Sequence, residues 1–210
     1  MDVVISSQAG KYQMLRWEYC IRGVKFLRPL VSATVSTYPD DAFGSEFEKL
    51  LTYANSNGTE HFIFMPDSCM LLAPFTPARY VNTGMLQRRP EETELMTNTI
   101  RFLLEREGLR KPIYDFELHV PMVFEKSKVR EMAEMVPHRD MLPRTLYCNL
   151  FPEPMIRIVN PVIDLWSHND DPDLAVISLS DTALAHKRCQ KWLERKFPAG
   201  AAHETVPVRS

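Results

Sequence analysis

The chain lacks most of the short patterns that announce a chemistry. It has no P-loop and no GxGxxG, so mononucleotide and dinucleotide cradles of those kinds have no support. GxSxG, HExxH and kinase catalytic-loop patterns are missing too, and with them the usual hydrolase, zinc-protease and kinase signatures. The four cysteines, Cys20, Cys69, Cys148 and Cys189, are scattered, with no CxxC pair and no zinc spacing. Because no signal-peptide apolar region is present, they are expected to be reduced thiols of a soluble, cytoplasmic protein. No apolar run approaches the roughly 18–20 residues that span a bilayer. Nor is there an arm or stripe of one charge sign, since 25 basic residues stand against 27 acidic ones for a net charge of -2. That balance disfavours a dedicated nucleic-acid binder, although patches assembled from distant residues stay open. No internal repeat is visible.

What is there fits one core. A chain of 210 residues buries enough surface for a single substantial domain, expected over 1–198, with 199–210 as a loose tail rich in Ala, Pro and Gly. Sixteen prolines imply many short turns. Val3-Val4-Ile5 reads as a buried strand, and apolar spacing predicts a helix over 12–28, weakened by Gly23 and ended by Pro29. A second strand is expected over 30–37. A helix then starts at a Ser45…Glu48 capping box and stops at Asn57-Gly58. The run His61-Phe62-Ile63-Phe64-Met65 follows, too short and too apolar for anything but a strand covered on both faces. This alternation predicts an α/β single domain with a mostly parallel central sheet.

Beyond it the reading is looser. The stretch 75–93 is irregular, either an active-site flap or a surface excursion. A helix is predicted over 91–108, extended chain over 112–124 and a helix over 127–135. Strands are expected over 145–148, 156–159 and 174–179, and a last helix over 182–196, capped by Asp181.

Two stretches carry candidate chemistry. Asp67 follows the apolar strand at its carboxyl end, where open α/β sheets bind ligands; a turn residue is the alternative. Asp115, Glu117 and His119 alternate, so on a strand they would share one face. They could share a metal, or a carboxylate could act as base with His119 orienting a phosphate; otherwise they form the wet face of an edge strand. The sharper expectation is that Glu117 and His119 converge on the cleft opened by Asp67, with Asp115 peripheral. Arg16 and Arg22 either clamp phosphates or line a solvated helix face. Arg144 and Asn149 bracket a stretch suited to a polyhydroxylated substrate.

The segments Glu60-His61-Phe62-Ile63-Phe64-Met65-Pro66-Asp67-Ser68, Tyr114-Asp115-Phe116-Glu117-Leu118-His119-Val120-Pro121 and Arg144-Thr145-Leu146-Tyr147-Cys148-Asn149, with Ser178-Leu179-Ser180-Asp181-Thr182 more weakly, carry a resemblance. The chain resembles phage and bacterial glycosyltransferase-like proteins related to the Stealth-type sugar-phosphate transferases, which have a nucleotide-diphospho-sugar transferase core. The resemblance implies a GT-A-like fold and transfer of a sugar or sugar phosphate from a nucleotide-sugar donor to an acceptor hydroxyl. The acceptor would be a glycan, a protein or a modified DNA base, and the site would be the host cytoplasm if the chain is phage-encoded. It further implies a divalent cation, Mn²⁺ or Mg²⁺, held by Asp67 and His119. Glu117 or Asp115 would be the base, Arg16 or Arg22 would lie at the nucleotide, and Arg144 and Asn149 near sugar or acceptor. Ser68 stands where the family carries a second acid, and Cys148 where it carries glycine. Fewer carboxylates weaken a hard-cation site, so a catalytically inactive sugar- or nucleotide-binding protein is the alternative. A metal-dependent phosphotransferase or hydrolase built on the same acids is a third.

Overall fold

In the computed structural model, which describes residues 2–6, 11–27, 35–38, 46–77, 81–82, 84–86, 94–107, 112–157, 162–163, 175–198 and 208–209, two short apolar stretches become neighbouring strands. β1 (Asp2–Ser6) and β3 (His61–Pro66) pair in parallel, with Val4 opposite Phe64. β2 (Val35–Tyr38) lies parallel on the other side of β1, and β10 (Val208–Arg209) is parallel to β2. β6 (Met122–Glu125) closes the far edge antiparallel to β3, with Phe64 opposite Met122. The order is β10-β2-β1-β3-β6, a mixed rather than a wholly parallel sheet. Phe62, Phe64 and Met65 are completely buried, and each such side chain contributes roughly 1.5–3 kcal/mol. A strand covered on both faces is what an unbroken apolar run needs, so the sequence pattern and the packing agree.

Helices cover this sheet and extend it. They are α1 (Gln13–Val24), α2 (Glu46–Asn55), α3 (Glu94–Glu107), α4 (Lys126–Met135), α5 (Pro143–Leu150), α6 (Asp181–Leu184) and α7 (Lys187–Lys196). β4 (Cys69–Leu71) pairs antiparallel with β9 (Val176–Leu179), which pairs in parallel with β8 (Val162–Ile163). β5 (Val81–Asn82) pairs with β7 (Ile156–Arg157). A second, smaller core gathers Tyr19, Met70, Ile177, Leu179, Trp192 and Phe197 between α1, the β4–β9 pair and α7. Among the described residues no helix is long and apolar enough to cross a membrane.

Three expectations fail here for identifiable reasons. Pairing over 112–124 is confined to β6, apart from an isolated bridge of Tyr114 to Met85, so Asp115, Glu117 and His119 do not share a strand face. Side chains of α5 satisfy that segment's backbone instead. Asn149 brackets Tyr114, accepting from its N–H (3.1 Å) and donating to its carbonyl (2.9 Å), and Thr145 Oγ1 accepts from the Phe116 N–H at 3.2 Å. Residues 145–148, expected as a strand, lie in α5, whose first position is Pro143; proline there pre-sets the helical φ and loses no needed donor. The single final helix is two, and Ser180, not Asp181, caps the first by accepting from the Ala183 N–H. Pro29, Ser45, Gly108 and the strand expected over 30–34 lie outside the described residues. In the stretch expected as a loose tail, Val208 and Arg209 pair with β2.

Gly23, which by propensity should weaken α1, is required by its packing. A Cβ there would stand 2.9 Å from the Leu71 backbone nitrogen and 3.2 Å from its carbonyl oxygen, so α1 lies directly on the β4 backbone. Gly23→Ala is therefore expected to lower stability by about 1–3 kcal/mol through overpacking, outweighing a propensity gain of about 1 kcal/mol. Urea denaturation reads this directly, and an unchanged or raised midpoint would contradict so close an approach.

Candidate functional site

The chain leaves β1 for β2 on one side and later returns to place β3 on the other. The strand order therefore reverses between the carboxyl ends of β1 and β3, the crevice where open α/β sheets bind ligands. Pro66 ends β3, and the next residue's N–H reaches across that crevice, Asp67 N donating to Ser6 O at 2.9 Å. The Asp67 carboxylate is buried, 1 % exposed. An ionised carboxylate so placed requires a counter-charge. Arg16, from the first turns of α1 and itself buried, brings its Nε to 3.5 Å from Asp67 Oδ1. The same guanidinium donates from its terminal nitrogen to Asp181 Oδ1 at 2.9 Å. One cation thus joins an acid at the end of β3 to a half-exposed acid opening α6.

Beside it runs a line of hydroxyls. Buried Ser178 in β9 donates to Ser68 Oγ at 3.0 Å, and Ser68 Oγ lies 3.2 Å from His119 Nδ1. Where Ser68 donates onward, Nδ1 is the acceptor and Nε2 is the ring nitrogen left to face outward. His119 is exposed while both serines are buried. The histidine is held there by Arg144, which donates from one nitrogen to Leu118 O (2.8 Å) and Val120 O (2.9 Å), the carbonyls on either side of it. Arg144 also donates to Glu46 Oε1 at 3.2 Å and lies 5.5 Å above the Phe64 ring. It positions the histidine-bearing segment from within the core.

Glu117 turns toward α5 and accepts from the Thr145 N–H at 3.0 Å, in the first turn of that helix. Burial first, and then the neighbouring carboxylates of Glu46 and Asp115, push its pKa up to about 7 against the opposing pull of Arg144 and the Thr145 N–H. Asp115 is buried and accepts from the Glu117 N–H at 3.0 Å, a local turn that shapes the segment.

Of the residues singled out in the sequence, Arg16 and Asp67 meet directly and His119 meets Ser68. Asp115, Glu117, Arg144 and Asn149 form the framework of 112–121. Arg22 is engaged elsewhere, with Glu18 and with the Phe197 carbonyl, fastening α1 to the end of α7. Sequence reasoning did not find Ser178, and took Asp181 only for a cap. Asp181 lies 165 positions from Arg16, and no local pattern could announce that pairing.

The divalent ion that the resemblance implies makes its own demands on the donor set. Asp67 faces a guanidinium, Ser68 supplies a hydroxyl where a second acid would help, and His119 Nδ1 faces that hydroxyl. No group of three His, Cys, Asp or Glu side chains able to hold a metal exists among the described residues. Hard cations take several oxygen ligands with carboxylates among them, so the residues present do not fit the ion. A separate cavity of about 150 Å³ lies between α3, α5 and the 112–116 segment, walled chiefly by Leu103, Tyr114, Phe116, Cys148 and Met155.

No family profile matches the chain, and no curated protein matches it in sequence. Among solved structures the chain is similar to the galactosyltransferase LgtC in complex with donor and acceptor sugar analogs, at 11 % identity and a TM-score of 0.44, over 100 % of this chain and 98 % of that one. A likeness this remote assigns neither a site nor a reaction.

Glu117 makes the region pH-sensitive. In the unfolded chain its proton leaves near about 4.3, whereas in the folded protein it leaves at about 7. Between those values the folded state holds the extra proton, so stability falls as pH rises through the window. Wild type should lose on the order of 2 kcal/mol between pH 5 and 8 that Glu117→Gln retains. Denaturation midpoints at the two pH values measure this, and identical pH slopes for both proteins would refute it.

Proposed function

We propose that this protein transfers a sugar, or a sugar phosphate, from a nucleotide-activated donor to an acceptor hydroxyl. The observation that supports this reading is convergence. The four stretches that resemble the sugar-phosphate transferases contact one another, through Asp67–Arg16–Asp181 and Ser178–Ser68–His119 at the strand ends, and through Arg144 to the carbonyls flanking His119 and Glu117 to Thr145 beside them in sequence. Such contacts between distant segments are what a site needs and a set of unrelated surface features lacks.

In this reading the donor diphosphate lies across the strand ends beside His119. An Nε2–H on its ring donates to a phosphoryl oxygen and stabilises the charge that grows as the bond from sugar to diphosphate breaks. Glu117, whose carboxyl titrates near neutrality, takes the proton of the acceptor hydroxyl as that oxygen attacks the sugar carbon. In sugar transfer the nucleoside diphosphate departs with the electron pair of the broken bond; in sugar-phosphate transfer the hydroxyl attacks the sugar-bearing phosphorus and the nucleoside monophosphate departs with the electron pair of the P–O bond. Asp115 and Arg144 are positioning groups, the first through the Glu117 N–H and the second through the Leu118 and Val120 carbonyls. The acceptor is a glycan, a protein or a modified base, and the setting is the cytoplasm. The donor set at Asp67 and His119 does not fit a metal, and the charge on the leaving group is met by the chain's own donors.

A second reading, binding without transfer, draws on one observation. Arg16 is engaged with both Asp67 and Asp181, so much of its charge is already compensated before any phosphate arrives. Thermal shift against UDP-, GDP-, ADP- and CMP-linked sugars tests both readings. Wild type should be stabilised by at least one of them at millimolar concentration. His119→Ala should stay within about 1 kcal/mol of wild-type stability, as an exposed site does, yet lose that shift. No shift with any nucleotide sugar, in folded protein, defeats both readings. A shift without turnover of the bound donor across a panel of acceptors selects the second.

A further inference from the structure

We infer that Arg16 is a resident cation standing between Asp67 and Asp181 where a divalent ion would otherwise bridge them, and that the site works without metal. The guanidinium lies between two carboxylates from distant segments, 3.5 Å from Asp67 Oδ1 by its Nε and 2.9 Å from Asp181 Oδ1 by a terminal nitrogen. Both it and Asp67 are almost fully withdrawn from water. A guanidinium keeps its proton throughout the range in which proteins fold, so its charge is permanent. A dication on Asp67 would sit against that charge with few water molecules to screen it. Two acids at a strand end and a helix start, with one cation between them, is the arrangement a bridging metal would make. Here the cation is covalently part of the chain, supplied by α1.

Replacing Arg16 by an uncharged residue of similar polarity should expose the two acids to each other and open the position to a metal. Ca²⁺, Mg²⁺ or Mn²⁺ would relieve their mutual repulsion, because hard dications prefer carboxylate oxygens. This inference does not rest on the sugar-transfer reading, and its test contains no nucleotide, so either can fail alone.

The experiment compares wild type, Arg16→Gln, Arg16→Gln/Asp67→Asn and Asp67→Asn. Each is stripped with a chelator and titrated with Mn²⁺ while the thermal midpoint and the heat of binding are recorded. The wild-type midpoint should not move. Arg16→Gln should start lower and rise by about 5 °C or more at Mn²⁺ a hundredfold above its dissociation constant. The double variant should lose that rise. A folded Arg16→Gln that shows no Mn²⁺-dependent rise overturns the inference. So does a wild-type rise that Asp67→Asn abolishes, since the metal would then bind with Arg16 in place. Comparison of wild type with Asp67→Asn can still overturn it if Arg16→Gln does not fold.

Discussion

Burying a carboxylate at the end of a strand covered on both faces is costly unless it is paired and hydrogen-bonded, and at Asp67 a buried cation for the pair comes from α1. The Arg16–Asp67 contact fixes where the helix after β1 must lie relative to the end of β3. Because the same guanidinium takes Asp181, it also fixes the helix that follows β9. Two strand-to-helix passages and the end of β3 thus meet at one side chain. The backbone repeats the connection, with Asp67 N–H on Ser6 O at 2.9 Å and Leu179 N–H on Ser68 O at 3.1 Å. Buried ion pairs of this kind add little net stability compared with a well-packed apolar substitute, but losing one partner strands the other. What this one does in the structure is tie the start of α1 to the end of β3 and to the start of α6.

A second buried cation does the same for the segment that has no regular structure. Residues 112–121 make few ladder hydrogen bonds, and buried backbone groups without partners are costly. Arg144, Thr145 and Asn149, all from α5, supply those partners. His119 is presented by a segment whose neighbouring carbonyls are fastened, and Glu117 is half-buried against the start of a helix. The thiols stand apart from this. All four are buried and unpaired with one another, and burial pushes Cys69 and Cys189 up to about 12, far from the thiolate that redox or nucleophilic roles require.

How much of this was legible in the amino-acid sequence depends on the range of the interaction involved. The alternation of strand and helix through β3 was readable, because apolar period and the Asn57-Gly58 stop act within a few residues. Gly58 has φ +149°, and a Cβ there would meet Asp2 Oδ2 at 2.6 Å. The position of Asp67 at a strand end was readable for the same reason. The strand expected over 145–148 does not form because Pro143 opens a helix there, a signal that lies two residues outside the stretch itself. The alternating face of Asp115, Glu117 and His119 was a sound inference from a false premise. Its premise needed a neighbouring strand to pair with, and α5 side chains satisfied the backbone first.

The sequence by itself determined which segments must be buried, where most of them begin and end, and that acids and a histidine stand near strand ends. Those properties follow from side-chain period and from turn residues acting on their immediate neighbours. Only the tertiary structure decided that Arg16 meets Asp67 and Asp181, that Ser178 and Ser68 lead to His119, and that Arg22 is turned away to Phe197. These pairings join residues that packing alone brings together, and a desolvated charge or hydroxyl takes whichever partner the fold places within about 3 Å.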